Sequence, residues 1–139
     1  MRGMEEYESH PARDASRASM TAVEAGDRAA SLALFAADAV VEDPIGPSMF
    51  DPDGKGHRGP DGIAAFYDNV VAMGRIEFAI RESYAAGNEC ANVGTITTTL
   101  PDGSRAIVDG VYTYRVDDDG RVIALRAYWE QAGMRFEGP

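Results

Sequence analysis

A single cysteine, Cys90, in 139 residues leaves no partner for an internal disulfide and no cysteine-rich metal site. Histidine is nearly as scarce: His10 and His57 stand apart from one another and read as solvated side chains in an arm and a loop. Basic residues are outnumbered, with 13 Lys+Arg against 23 Asp+Glu and a formal charge of -10. They are also scattered singly, which sets nucleic acid aside as a partner. No stretch approaches the roughly 20 apolar residues needed to cross a bilayer. The opening Met1-Arg2-Gly3-Met4-Glu5-Glu6-Tyr7-Glu8 has no apolar run of the kind a secretory signal carries. Glycine-rich phosphate loops are missing as well. These absences point to an acidic cytoplasmic protein with no membrane span and no metal.

What is present is ordinary globular material, 45% hydrophobic and 26% charged, of a length suited to one domain over residues 1–139. Residues 1–11 are polar and end in Pro11, which predicts a loose N-terminal arm. From Ala12 to Ala25 the apolar positions recur at helical spacing, and Gly26 ends the run. Asp27 is placed to cap a second helix through Ala29, Leu32, Phe35 and Ala36. Val40-Val41-Glu42 reads as a short strand stopped by Asp43-Pro44. Four prolines and five glycines between residues 44 and 62 predict a long loop. Pro60 opens a third helix carrying Ile63, Phe66, Tyr67 and Val70, ending near Gly74.

The remainder alternates. Ala106, Val108, Gly110, Tyr112, Tyr114 and Val116 share one strand face, and Pro101-Asp102-Gly103 and Asp117-Asp118-Asp119-Gly120 supply the turns. Helices followed by long strands define an α+β domain. The expected form is a curved antiparallel sheet with helices across its mouth, a cone wide enough to leave a cavity.

Asp43 shares a face with Val41, while Glu42 points the other way. Alternation leaves two placements for the carboxyl: inward at the wall of the core, or capping a turn once the strand has ended. Inward, among apolar walls, its charged form is disfavoured and its pKa rises toward a range useful for taking and returning a proton. That suits abstraction of a weakly acidic C–H proton or protonation of a leaving group. Tyr67, Tyr112, Tyr114 and Trp129 add polar-tipped aromatics on surfaces that would face it. Each taken alone is accounted for by core packing; together they fit an apolar pocket with a few polar contacts. Cys90 reads as a small buried hydrophobe.

Val41-Glu42-Asp43-Pro44-Ile45-Gly46, then Gly59 with Ile63-Ala64-Ala65-Phe66-Tyr67, and finally Tyr114-Arg115-Val116-Asp117, Gly120-Arg121-Val122 and Ala127-Tyr128-Trp129 together resemble the steroid Δ5-3-ketoisomerase family of the SnoaL-like and NTF2-like superfamily. The likeness runs from about Ala12 to Trp129. It implies an NTF2-like cone closed by three helices, a homodimer formed through the sheet, no cofactor, and a role in steroid or lipid metabolism. It further implies that Asp43 is the general base that moves a proton from C4 to C6 of a Δ5-3-ketosteroid, as established for that family. The oxyanion-hole tyrosine of the family falls on Ser19 and its protonated aspartic acid on Tyr112. A supporting tyrosine matches Tyr67, and a cavity tryptophan matches Trp129.

The expected catalytic residues are therefore Asp43 and Tyr112, with Ser19, Tyr67, Tyr114 and Trp129 around a steroid or similar apolar molecule. Asp109 lies three positions from Tyr112 on the opposite strand face and would need a β-bulge to turn inward. The loop between Gly46 and Gly59 is longer than in the well-characterised bacterial isomerases and resembles divergent actinobacterial members. Other readings keep the cone. One is a non-catalytic binder of a steroid-like ligand. Another is an enzyme acting on a polyketide or epoxide, which would want a second acid such as Glu82 or Glu130. A structural adaptor is the last.

Overall fold

A computed structural model of the chain describes residues 4–139. Three helices, α1 (Pro11–Glu24), α2 (Arg28–Ala33) and α3 (Gly59–Asn69), lie against one seven-stranded sheet. The strands are β1 (Phe35–Glu42), β2 (His57–Arg58), β3 (Arg75–Ala86), β4 (Glu89–Thr99), β5 (Arg105–Val116), β6 (Val122–Tyr128) and β7 (Arg135–Glu137). Their order is β2-β1-β6-β5-β4-β3, with β7 added to β5. The sheet is mixed and not purely antiparallel as expected, because β1 runs parallel to β6.

Local chemistry sets most boundaries. Gly26 adopts a φ of 68°, a left-handed conformation that ends α1 at no steric cost. The Asp27 carboxylate accepts from the Ala30 N–H at 3.0 Å, capping α2. That helix stops at Ala33, sooner than its apolar spacing predicts. The Val122 N–H bonds to the Leu34 carbonyl at 2.9 Å, and Phe35 pairs with Val122, so Phe35 and Ala36 begin β1 instead. Tertiary pairing outweighs helical periodicity here.

The expected loose arm differs too. Its first three residues lie outside the described residues, but residues 4–10 are tied to α1. The Arg17 guanidinium donates to the carbonyls of Met4 (3.0 Å) and Tyr7 (2.6 Å), and Arg13 donates to that of Glu8 (2.8 Å). His10 is no solvated side chain: its Nδ1 accepts from the Ala12 N–H at 3.1 Å and caps α1.

Two apolar clusters result. In one, Ala12, Ala15 and Met20 of α1 pack on Ile80, Cys90, Tyr114, Val116 and Val122. In the other, Ile63 and Phe66 of α3 pack on Ala39 and Val41 of β1. Phe35 and Leu125 touch both clusters. Between them the sheet is creased. Gly94 of β4 pairs with Gly110 of β5 and with Ile80 of β3, where a register shift before Glu82 leaves Arg81 as a bulge. A Cβ at Gly94 would lie 2.4 Å from the Ala79 carbonyl oxygen, and one at Gly110 would lie 2.6 Å from that of Tyr128 and 3.1 Å from Trp129 Cβ. Glycine at these places permits the close approach of backbones that a bent sheet requires.

Gly110→Ala is expected to cost about 1–3 kcal/mol of stability in urea unfolding, the range for overpacking. Gly133→Ala meets nothing within 4 Å and is expected to stay within about 0.5 kcal/mol of the parent.

Candidate active site

The crease and the two clusters enclose a cavity of about 200 Å³. Its deep walls come from α1 (Ser19, Met20), the end of β1 (Asp43), α3 (Phe66) and β5 (Tyr112, Tyr114). Asp43 is the one carboxylate among its lining residues. Val41 is 1% exposed within the α3 cluster, and Asp43, two residues on, faces the same side. Glu42 turns outward to an ion pair with Arg126 at 3.0 Å.

Burial raises the Asp43 carboxyl pKa, and two neighbours oppose that shift. The first is Trp129, whose Nε1–H donates to Asp43 Oδ1 at 2.7 Å. The second and smaller is the electrostatic influence of His57. His57 sits in β2, paired with Val41, its ring 4.5 Å from that of Phe66. Its Nε2 is buried and has no hydrogen-bond partner. The expectation of a solvated loop histidine is thereby corrected, because two ladder pairs draw residues 57 and 58 onto the edge of β1.

The hydroxyls of the cavity are committed unequally. Tyr112 donates to the Val108 carbonyl at 3.1 Å, and burial followed by the charge of Asp43 raises its pKa well above the ordinary phenol value. Tyr114 donates to Ser19 Oγ at 3.3 Å, and its pKa is pushed up to about 12, mainly by burial. Of the six residues expected around the ligand, Asp43, Tyr112, Ser19, Tyr114 and Trp129 line this cavity. Tyr67 does not. It is buried on α3 at 8% exposure, near enough to Arg28 of α2 for the two to interact electrostatically.

Asp109 stays on the outer face, where it accepts from Thr95 Oγ1 at 2.5 Å and pairs with Arg135. Glu82 is exposed and accepts from the Tyr84 hydroxyl at 2.8 Å, and Glu130 is exposed outside the cavity. No group of three or more His, Cys, Asp or Glu side chains among the described residues could hold a metal ion.

Two segments contribute lining that the sequence reading did not assign. Met49 and Phe50 come from the long loop, with the Phe50 ring edge-on to Trp129 at 6.4 Å. Met134 and Phe136 come from the C-terminal end, where β7 pairs with Arg105–Ile107 of β5. Phe136 alternates with Arg135 and Glu137, whose ion pairs reach Asp109 and Arg105. That alternation is the signal by which the strand is recognisable.

A curved mixed sheet closed by three helices around a carboxylate-bearing apolar cavity defines an NTF2-like protein. The chain belongs to the SnoaL-like domain family, whose profile matches residues 16–125. It is similar to the steroid Delta-isomerase of Nocardioides simplex, 29% identical over 115 residues that cover 83% of this chain and 86% of that protein. Among solved structures it is similar to the Delta 5-3-ketosteroid isomerase from Mycobacterium sp., with 42% identity, coverage of 93% of this chain and 100% of that one, and a TM-score of 0.89. A Mycobacterium tuberculosis protein in complex with estradiol-17β-hemisuccinate is 37% identical, with coverage of 92% and 100% and a TM-score of 0.88. No helix among the described residues is long and apolar enough to cross a membrane.

Because the folded carboxyl of Asp43 holds its proton above the ordinary value of 3.8, the folded state binds more protons than the unfolded one in that window. The stabilisation conferred by the proton is complete below 3.8 and is lost as pH rises through the folded pKa. Asp43→Asn is therefore expected to be more stable than the parent at pH 7, with the gap closing toward pH 3.8. Urea midpoints measured across that range check this.

Proposed function

We propose that this protein is a steroid Δ5-Δ4 isomerase with Asp43 as its general base. The observation that carries the reading is a lone carboxylate in an apolar cavity, its pKa raised by burial yet held ionisable by the Trp129 indole. Burial strengthens Asp43 as a base for a C–H proton, and the hydrogen bond fixes one oxygen so that the other is free to approach the ligand. The carboxylate removes a proton from C4 of the 3-ketosteroid, and the electron pair moves into the carbonyl to give a dienolate. The same carboxyl then returns the proton to C6, leaving the double bond in conjugation. The dienolate oxygen needs a hydrogen-bond donor, and the hydroxyls of Tyr112, Tyr114 and Ser19 line the same cavity, Tyr112 and Ser19 at the positions where the family carries its oxyanion residues. No cofactor enters such a transfer. The similarity to two proteins named as steroid isomerases supports the substrate class.

The complex of a similar protein with an estradiol derivative favours one second reading, a steroid binder without turnover. Epoxide or polyketide chemistry that needs a second acid is disfavoured, because Glu82 and Glu130 lie outside the cavity. Association of two copies through the outer sheet face, where Tyr128 is 50% exposed beside Val111, is part of the same proposal. Sedimentation velocity tests it.

With 5-androstene-3,17-dione as substrate, growth of the enone absorbance is expected in the parent. In Asp43→Asn the rate is expected to fall by about 10²–10⁴, the usual worth of a positioned base. Equal rates in the two proteins would end the isomerase reading. Quenching of the single tryptophan, Trp129, by a steroid without turnover in either protein would establish the binder.

A further inference from the structure

The isomerase reading needs a hydrogen-bond donor at the ligand's oxygen, and the Asp43 end of the cavity can be searched for one by counting protons; the Thr98 hydroxyl lines the other end, where β4 pairs with Ile76 and Ala106. The Trp129 indole has one N–H, and it is spent on Asp43. Tyr112 has one O–H, and it is spent on the Val108 carbonyl. Redirecting the indole would strip the carboxylate of its fixed partner. Redirecting the phenol would leave a buried backbone acceptor without that bond, an exchange with little net gain.

The third wall differs. Tyr114 and Ser19 bond to each other, and two hydroxyls carry two protons. One proton serves the mutual bond whichever way it runs, so one is left over. Ser16, a turn earlier on α1, spends its proton on the Arg13 carbonyl at 2.8 Å, whereas Ser19 donates to no group among the described residues. The mutual bond is long at 3.3 Å, against about 2.7–2.8 Å for a good O–H···O bond. Both side chains are buried, at 4% and 6% exposure, and both line the cavity. A spare O–H facing an apolar hollow is costly until an acceptor arrives.

Resting on the isomerase reading for the ligand's class, we propose that the Ser19–Tyr114 hydroxyl pair, and neither Tyr112 nor Trp129, donates the hydrogen bond to the ligand oxygen. The pair works as a relay. Either Tyr114 donates to Ser19 and Ser19 to the ligand, or the order is reversed, and each bond polarises the next. One proton is available, so the fitting group is an acceptor-only oxygen, a ketone in the ground state and an enolate after proton removal. A phenol whose pKa lies near 12 stays neutral throughout the working range and keeps its proton to share.

The test uses the product-like 4-androstene-3,17-dione bound to the whole chain, because its enone absorbance moves to longer wavelength when the carbonyl accepts a hydrogen bond. This readout needs no turnover, so it stands apart from the Asp43 experiment. The expected result is a red-shifted band in the parent, a reduced shift in Ser19→Ala and in Tyr114→Phe, and none in the double variant. Each single variant still has one hydroxyl to offer. Turnover in the double variant is expected to fall by about 10²–10³, the worth of one oxyanion donor. Tyr112→Phe is expected to keep the shift. A shift that survives the double variant, or is lost in Tyr112→Phe, overturns the proposal, and the second arm holds even if the double variant does not fold. Absence of a shift in the parent overturns it as well. A shift that follows the expected pattern in a protein without isomerase activity would leave the donor assignment standing and remove the isomerase reading alone.

Discussion

The bond from the Trp129 indole to Asp43 fixes what the cavity can do, because a half-buried carboxylate on an apolar wall has few ways to remain usable. Burial alone drives it toward the neutral form, and a fully neutral acid is no base. A charged partner at contact distance would pull the pKa the other way and make the carboxylate too weak a base for carbon acids. A single neutral N–H donor stands between these limits. It offsets part of the desolvation and leaves one oxygen free. The direction of the Asp43 shift, raised overall with Trp129 opposing, is that balance written in one group.

Much of the architecture serves to place that indole. Trp129 follows the last residue of β6, at the break before β7 resumes pairing along β5. Gly110 gives it room on one side, and the Phe50 ring meets it on the other. The loop bearing Phe50 is tied back to the C-terminal segment, since the Met49 N–H donates to Gln131 Oε1 at 2.9 Å. The long loop and the C-terminal segment thus meet at the tryptophan.

How far the sequence discloses this depends on the kind of signal each residue carries. Period-two alternation is strong over twelve residues of β5, and it assigns Tyr112 and Tyr114 to the inner face directly. Val41 follows from the same rule even in a short strand, but Pro44 puts Asp43 at the strand's end, where alternation allows an inward carboxyl and a turn cap alike, and only the packed cavity decides between them. A two-residue strand has no period, so nothing in His57-Arg58 announces its pairing with Val41. Tyr67 misleads for another reason: the buried face of α3 also meets α2, so helical spacing establishes burial without saying which neighbour is met. Phe35 belongs to a helical pattern and to a strand at once, and its pairing with Val122 decides between them. Proton direction is the least legible. Alternation states which wall a phenol stands on, but whether its hydrogen is already spent depends on a carbonyl four residues back, as with Tyr112 and Val108.

The same accounting limits the ligand. The deep end of the cavity offers one carboxylate and, once internal bonds are counted, one spare hydroxyl proton. The mouth offers no carboxylate and one hydroxyl, that of Thr98 on β4. Met49, Met73 and Phe136 line it while remaining 52%, 49% and 71% exposed, a greasy rim with large side chains turned partly to solvent. An occupant satisfying both regions carries an acceptor oxygen at one end and hydrocarbon along the rest. A molecule with several polar groups distributed along its length would leave most of them unpaired against a rim and β3–β4 wall that offer the Thr98 hydroxyl alone among the lining side chains, at a cost that one good hydrogen bond does not offset. Selectivity here comes from where polarity is missing as much as from where it is supplied. The crease at Gly94 and Gly110 is what keeps the apolar length of the cavity open.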